Sequence, residues 1–339
     1  MNRRSSGARL FLLPWIVGFA ALTALPVLVS LALSFTQFKD PLSMNRLQWV
    51  GLSHYRQAVE TARPYSPDRG DPWYWNLLGG KPEDVHFHQS LYNSITFSIF
   101  AVPLGLAVSL MTALLLNQRL RGTSVARTLI YIPHVLGGAA TIVIWSWLFN
   151  PEFGWINEGL RCLYRFADPI VRLFREQGTA DFPTPAWLYS PVWCKPAVVI
   201  MHVWAIGGSM LIFLAALHRV PRALYDAARL DGSSAWRQFL HVTWPHITPV
   251  VLFNLVISLV FTMQSFTESY FLETRQQKDG LLFFALYLYR VAFEPPYRFG
   301  YASALAWIFV LVLIVLIVPI LLSGRLWVYY AGSERTSKG

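Results

Sequence analysis

Residues 219–245 read RVPRALYDAARLDGSSAWRQFLHVTWP, a polar stretch caught between two long apolar runs, 196–218 and 247–270. Pro221 suits a first helical turn, where its missing N–H is no loss. Ala223, Leu224, Ala227 and Ala228 are strong helix formers, and Asp226 stands at helical spacing from Arg222 and Arg229. Gly232 supplies the positive φ that ends such a helix. Ser233 or Ser234 can cap the next one, over 235–242. The stretch predicts a short helix, a sharp turn and a second helix that returns to an apolar segment at Pro245. A loop this ordered, with small side chains on its surface, allows a partner to approach closely.

Outward from that loop the chain is a series of apolar runs, at roughly 10–36, 91–117, 127–149, 196–218, 247–270 and 301–324, none with a charge at its middle. Of its 339 residues 55% are hydrophobic and 14% charged, against roughly 25% charged in a soluble domain. Most of the surface is therefore not built for water. About 20 apolar residues span a bilayer as a helix. Lipid offers no partner to a backbone N–H or C=O, so each segment must satisfy its own. These runs predict an all-α, polytopic membrane protein with six transmembrane helices. Pro14, Pro26, Pro103 and Pro319 fall inside them and predict kinks. An aromatic share of 15% suits interfacial belts of Trp and Tyr. The first run follows Arg3, Arg4 and Arg9, but it is longer than the ~7–15-residue apolar region of a signal peptide and reads as a retained helix.

Alternate loops differ in charge. The N-terminus, 118–127, 219–245 and the C-terminal tail together hold 13 Lys/Arg and 3 Asp/Glu, whereas the longer intervening loops hold 15 of each. The positive-inside rule then predicts a cytoplasmic loop at 219–245 and cytoplasmic N- and C-termini. The net charge of +10 is a topology signal scattered over four short segments, which argues against a nucleic-acid partner. The first long loop is turn-rich over 63–72 and is expected to be irregular, with a short helix near 53–62. The second carries an amphipathic pattern from Ile156 to Phe174. The chain divides into 1–90 (first transmembrane helix and extracytoplasmic loop), 91–327 (transmembrane core with the loop at 219–245) and 328–339 (tail).

The spacing within 219–245 resembles the signature loop of ATP-driven (ABC) importer permeases, which reads Glu-Ala-Ala, three residues, Gly, nine residues, Ile, one residue, Leu-Pro. Here Asp226-Ala227-Ala228 and Gly232 stand at that spacing, followed by Val242, Trp244 and Pro245. Asp, Val and Trp replace the family's Glu, Ile and Leu. Further patches are similar to the sugar-type members: Arg9 to Pro14 with Ser34-Phe35-Thr36, Asn93-Ser94, Arg121-Gly122, Tyr131-Ile132-Pro133, Trp145, Gly154, Asn157, Tyr289, Ala292-Phe293 and Gly300 to Ala304. One departure stands out. The family's Thr-x-Gly-Gly-Pro turn after the fifth helix is replaced by Leu272 to Gly280, which is charged and lacks the double glycine. The resemblance implies the type I importer-permease fold and a bacterial plasma (inner) membrane location. It also implies a role as translocation path for a sugar or a related polyol or sugar phosphate. The implied partners are a second homologous permease subunit, two ATPase subunits, an extracytoplasmic solute-binding protein and the lipid bilayer. By the same resemblance Tyr225, Asp226, Ala227, Ala228, Asp231, Gly232 and Pro245 form the coupling element. Their short helix would sit in a groove of an ATPase subunit, whose closure would rock the bundle.

The chain carries no Gly-x-x-x-x-Gly-Lys-Ser/Thr phosphate loop, and Gly79-Gly80-Lys81 is followed by Pro82. ATP and its Mg are therefore expected on the partner ATPase, with no cofactor, catalytic residue or resident metal on this chain. His86 and His88 beside Glu83 and Asp84 form the one dense group of potential metal ligands, and a solvated loop is the competing reading. Cys162 and Cys194 fall in one loop and can pair or remain free thiols. Asn254, Ser258, Thr262 and Ser265 recur at spacings of 4, 4 and 3, one face of the fifth helix. Their amide and hydroxyl groups suit either a hydrogen-bonding solute or interhelical contacts. Trp147 and Trp204 could stack on sugar rings or simply pack. His202 stands alone in the fourth run, as a packing residue or a site. Two alternatives are an ion-coupled carrier, for which the runs are poor in carboxylates, and a polytopic membrane enzyme acting on lipid or glycan.

Overall fold

The computed structural model describes residues 4–38, 48–64, 66, 72–77, 81–118, 121–172, 184–277 and 279–329. Most of the turn-rich run 63–72 lies outside these residues, as do Gly79, Gly80, residues 173–183, Lys278 and the tail from residue 330. Each apolar run is helical. Four helical stretches among the described residues are long and apolar enough to cross a membrane: Leu12–Ser34, Val85–Leu116, Ala235–Leu272 (with a turn at Gln264) and Phe299–Trp327. The other two runs are each broken into a bent pair of helices. Thr123–Val135 meets Gly138–Leu148 at 102°, and Cys194–Trp204 meets Gly207–Arg219 at 45°. Counted as one span each, the bent pairs bring the total to six. The breaks fall beside glycine pairs. Leu136 and Gly137 are both extended, with ψ of 132° and 146°, so no i→i−4 ladder passes through them.

The sharp bends thus lie away from the expected prolines, since Pro14, Pro103 and Pro319 sit inside unbroken helices. Pro26 and Pro245 share a different device. Each follows a π-turn, Ala20–Ala24 and Phe239–Thr243 respectively. Leu25 N–H donates to Ala20 O and Trp244 N–H donates to Phe239 O, five residues back. The widened turn gives the pyrrolidine ring room where an α-turn would press it against a carbonyl.

The chain separates into two compact units, residues 1–88 with 286–315, and residues 89–285 with 316–339. In the first unit the long loop is less irregular than its composition suggests. It holds a helix at Ser53–Val59 and two short antiparallel ribbons, Thr36–Gln37 with Gln48–Trp49 and Thr61–Arg63 with Lys81–Pro82. Asp84 closes this region by capping the helix that starts at Val85. Its Oδ1 accepts from Phe87 N–H at 2.9 Å, and its Oδ2 accepts from the hydroxyls of Tyr287, at 2.6 Å, and Tyr301. His88 Nδ1 lies 3.0 Å from Asp84 O. The acidic and imidazole groups of 83–88 thus include a helix cap and its satellites.

The second unit packs around Phe97, Trp145, Phe149, Trp187, Met201 and Phe283, with a second cluster around Met210, Phe213, Leu217 and Ile247. In lipid such packing, more than exclusion of water, holds helices together. Gly207 marks the closest approach: a Cβ there would lie 2.9 Å from Ile130 O and Tyr131 Cα. Only glycine lets the bent fourth span seat against the third at this point. The amphipathic helix of the second long loop is present as Trp155–Arg172. Asn157 pins its start, accepting from Trp187 Nε1 at 2.8 Å and donating to Pro185 O at 3.3 Å. Cys162 is exposed, Cys194 is buried, and both are free thiols.

Candidate functional site

The loop helix runs Arg222–Leu230, with Pro221 as its N-cap at φ −61°, ψ 128°. The proline therefore stands one residue before the first turn instead of inside it. At the other end Gly232 N–H donates to Arg229 O at 3.0 Å and Ser233 N–H to Ala228 O at 2.9 Å. Gly232 has φ +70°. These are the paired bonds of a Schellman stop, which requires a left-handed residue at that position. Ser234 then caps the following helix, accepting from Arg237 N–H at 3.4 Å. That helix, Ala235–Gln238, runs through the π-turn into the fifth span, which stays α-helical to Met263 before a turn at Gln264 leads to the short helix Thr267–Leu272. The predicted helix, turn and second helix are all present, with Pro245 at the start of the α-helix that follows the π-turn.

No residue of the loop helix is buried. Asp226, Ala227, Asp231 and Gly232 are exposed, while Tyr225 and Ala228 are half-buried. Asp226 pairs with Arg229 on the same helix at 3.5 Å. Leu230 is 90% exposed and Trp236, stacked on Phe239, 67% exposed, and together they form an apolar edge. Tyr225 turns its hydroxyl inward, 2.8 Å from Thr243 Oγ1.

A second site lies within the transmembrane part of the same unit. A cavity of about 420 Å³ is lined by His134, His202, Ser209, Asn254 and Ser258 among others. Of the polar stripe on the fifth span, Asn254 and Ser258 reach this lining. Asn254 also donates to Val250 O at 3.2 Å; Thr262, which lies outside the lining, donates to Ser258 O at 2.9 Å within its own helix, and Ser265 donates to Glu268 Oε2 at 2.6 Å. A neighbouring cavity of about 160 Å³ is bordered by His134, His202 and Glu268. His202 is thus not isolated. The break in the third span carries His134 to the same wall, a juxtaposition invisible while that run was read as one straight helix. Of the two tryptophans, Trp204 packs edge-on against Trp145 at 5.6 Å, and Trp147 is exposed.

The segment that departs from the family's glycine-rich turn is held by side chains instead. Gln277 is fully buried. Its Nε2 donates to Leu188 O and, at 2.8 Å, to Leu272 O, and its Oε1 accepts from Thr274 N–H at 3.1 Å. Asn93 Nδ2 reaches Asp279 O at 2.8 Å and Leu282 O at 3.0 Å. Nothing in the local sequence marks Gln277, because each of its partners comes from the tertiary fold or the turn it closes.

The family model described as "Binding-protein-dependent transport system inner membrane component" matches residues 101–328. The probable ABC transporter permease protein YesP of Bacillus subtilis (strain 168) is 30% identical over 327 residues, covering 96% of this chain and 92% of YesP. The lactose transport system permease protein LacF of Rhizobium radiobacter is 32% identical over 240 residues, 69% of this chain and 74% of LacF. The sn-glycerol-3-phosphate transport system permease protein UgpA of Yersinia enterocolitica is 34% identical over 180 residues, 52% of this chain and 55% of UgpA. Among solved structures, a chain of a bacterial ABC transporter involved in import of the acidic polysaccharide alginate superposes with a TM-score of 0.71 at 19% identity, covering 99% of this chain and 98% of that one.

Proposed function

The chain belongs to the family of binding-protein-dependent transport system inner membrane components, and we propose that it forms one membrane half of an ATP-driven importer for a sugar-like solute. It is a polytopic permease subunit, and this membership displaces the membrane-enzyme and ion-coupled-carrier alternatives. The observation that carries the proposed coupling is the loop helix itself. It has no buried residue, it is stopped by a left-handed Gly232, and its edge at Leu230 is 90% exposed. A helix with this shape offers itself to a groove on another chain. Asp226, Ala227, Asp231 and Gly232 form its outward surface, with the half-buried Ala228 beside them, and an ATPase subunit is the partner that fits the family.

ATP and Mg belong on that separate subunit, since this sequence lacks a phosphate loop. The remaining partners are a second permease, a second ATPase and a solute-binding protein on the opposite face. The alginate system has been solved in complex with its pentasaccharide-bound periplasmic protein, which supports the last of these. Charge asymmetry supports a cytoplasmic location of the loop and both termini in a bacterial inner membrane. The solute class rests on relatives named for lactose and sn-glycerol-3-phosphate transport. It rests also on a cavity whose imidazole, amide and hydroxyl groups suit a polyhydroxylated molecule. Purification from native membranes, with identification of co-purifying chains and bound small molecules, tests the reading. An ATPase and a secreted binding protein are expected, and their absence from an intact, folded preparation contradicts it.

A further inference from the structure

The loop helix Arg222–Leu230 is joined to the bundle by two joints. At its N-terminal end Val220 and Pro221 are extended, with ψ of 123° and 128°. At its C-terminal end the chain turns through Gly232 at φ +70° into the two serines. A rigid rod held only by its two ends remains free to roll about its own axis, and a roll would change the surface it presents. Beneath it lies a cavity of about 840 Å³, bounded by the ends of the second and fourth spans at Asn117 and His218 and by Gln238 and Thr243 on the other side. Packing under the helix is therefore sparse, and no residue of the helix is buried.

Tyr225, near its middle, supplies a third point of attachment. Its hydroxyl meets Thr243 Oγ1 at 2.8 Å across 18 residues of sequence. Thr243 is 4% exposed and is the last residue of the π-turn Phe239–Thr243, directly before the α-helix that begins at Trp244. Three non-collinear points fix a rod in rotation as well as position. Asp226 and Arg229 do not serve as that third point, because they pair with each other on the helix itself.

We propose that Tyr225 is a positioning residue. Its hydrogen bond to Thr243 fixes the rotational setting of the loop helix on the fifth span, so that displacement of the helix by a docked motor passes into that span as one rigid body. This rests on the coupling function proposed above, yet it assigns Tyr225 to the permease's own framework and not to the surface the motor touches.

The test uses the full complex in a Cys162→Ser background, with spin labels at Arg222→Cys and Phe253→Cys, both exposed positions. The distance distribution between them is measured at rest and after trapping with Mg-ATP and orthovanadate. The parent keeps a narrow distribution in both states. Tyr225→Phe and Thr243→Val should widen it at least about twofold in the trapped state, the scale expected when one hydrogen bond ceases to restrain the helix. Thr243→Ser, which keeps the hydroxyl and loses the methyl, should stay narrow. A narrow distribution in Thr243→Val, which preserves the packing shape, overturns the proposal, as does a Thr243→Ser variant as broad as Thr243→Val. If no ATPase accompanies the parent chain, the coupling reading fails instead. The same labels in the lone full-length chain then still decide the bond, widening in Thr243→Val supporting it and an unchanged width refuting it.

Discussion

The phenol of Tyr287 donates to Asp84 Oδ2 at 2.6 Å, tying the residue that caps one long helix to a helix some 200 positions later in sequence. Burial first, then the neighbouring carboxylate, pushes the Tyr287 phenol well above its usual range, so it remains a donor throughout neutral pH. Asp84→Ala removes a helix cap, worth about 1 kcal/mol, and strands two phenol groups. The expected cost is about 2–4 kcal/mol, read as a clear fall in the thermal midpoint of the detergent-solubilised protein. A midpoint unchanged within a degree or so would show that the cap and its tyrosines carry little of the fold.

Gly232→Leu forces a branched side chain into left-handed backbone, at about 1–2 kcal/mol. Nothing crowds the position, since an added Cβ meets no atom within 4 Å. The variant should therefore reach the membrane in ordinary amounts. Its expected defect is loss of ATPase capture, seen as reduced co-purification. Full capture by Gly232→Leu would remove the turn from the docking element.

Within the transmembrane cavity the polar stripe divides. Asn254→Leu and Ser258→Val alter the lining and should shift the concentration of solute-loaded binding protein that half-stimulates ATP hydrolysis. Thr262→Val alters a residue bonded within its own helix and should leave that concentration in place. Equal shifts in all three variants would point to helix packing in place of a lining role.

Gln277→Leu should destabilise the loop that follows the fifth span. It leaves the carbonyls of Leu188 and Leu272 without this donor, each a loss of about 1–3 kcal/mol for a buried polar group. Enhanced proteolysis around residues 272–280 is the expected sign, and parental resistance would count against Gln277 as the residue that holds this segment.

Much of this was legible from residue patterns. Glycine, serine and proline at 219–245 specify their turn and cap locally, so the helix–turn–helix could be drawn before any coordinates. The apolar runs fixed where helices occur. They did not reveal that two of them break, because the extended pair Leu136–Gly137 and the turn at Ala205–Ile206 carry no charge or proline to mark them. That omission hid the meeting of His134 with His202. Periodicity placed Thr262 on the same face as Ser258, but an intrahelical bond draws its hydroxyl back to the backbone, as hydroxyls in apolar surroundings commonly are. Tyr225 looked like one more member of the docking surface; its inward bond depends on the π-turn at Phe239–Thr243, which no spacing rule announces.

The central claim is that a motor subunit grips the loop helix from the cytoplasmic side. A photo-crosslinking residue placed at Leu230, the most exposed apolar position of that helix, measures this in intact membranes. The account predicts a covalent adduct with an ATPase chain that changes in yield when Mg-ATP and vanadate are supplied from the cytoplasmic face. An adduct only with an extracytoplasmic protein, or labelling of Leu230 solely from the outer face, would contradict it.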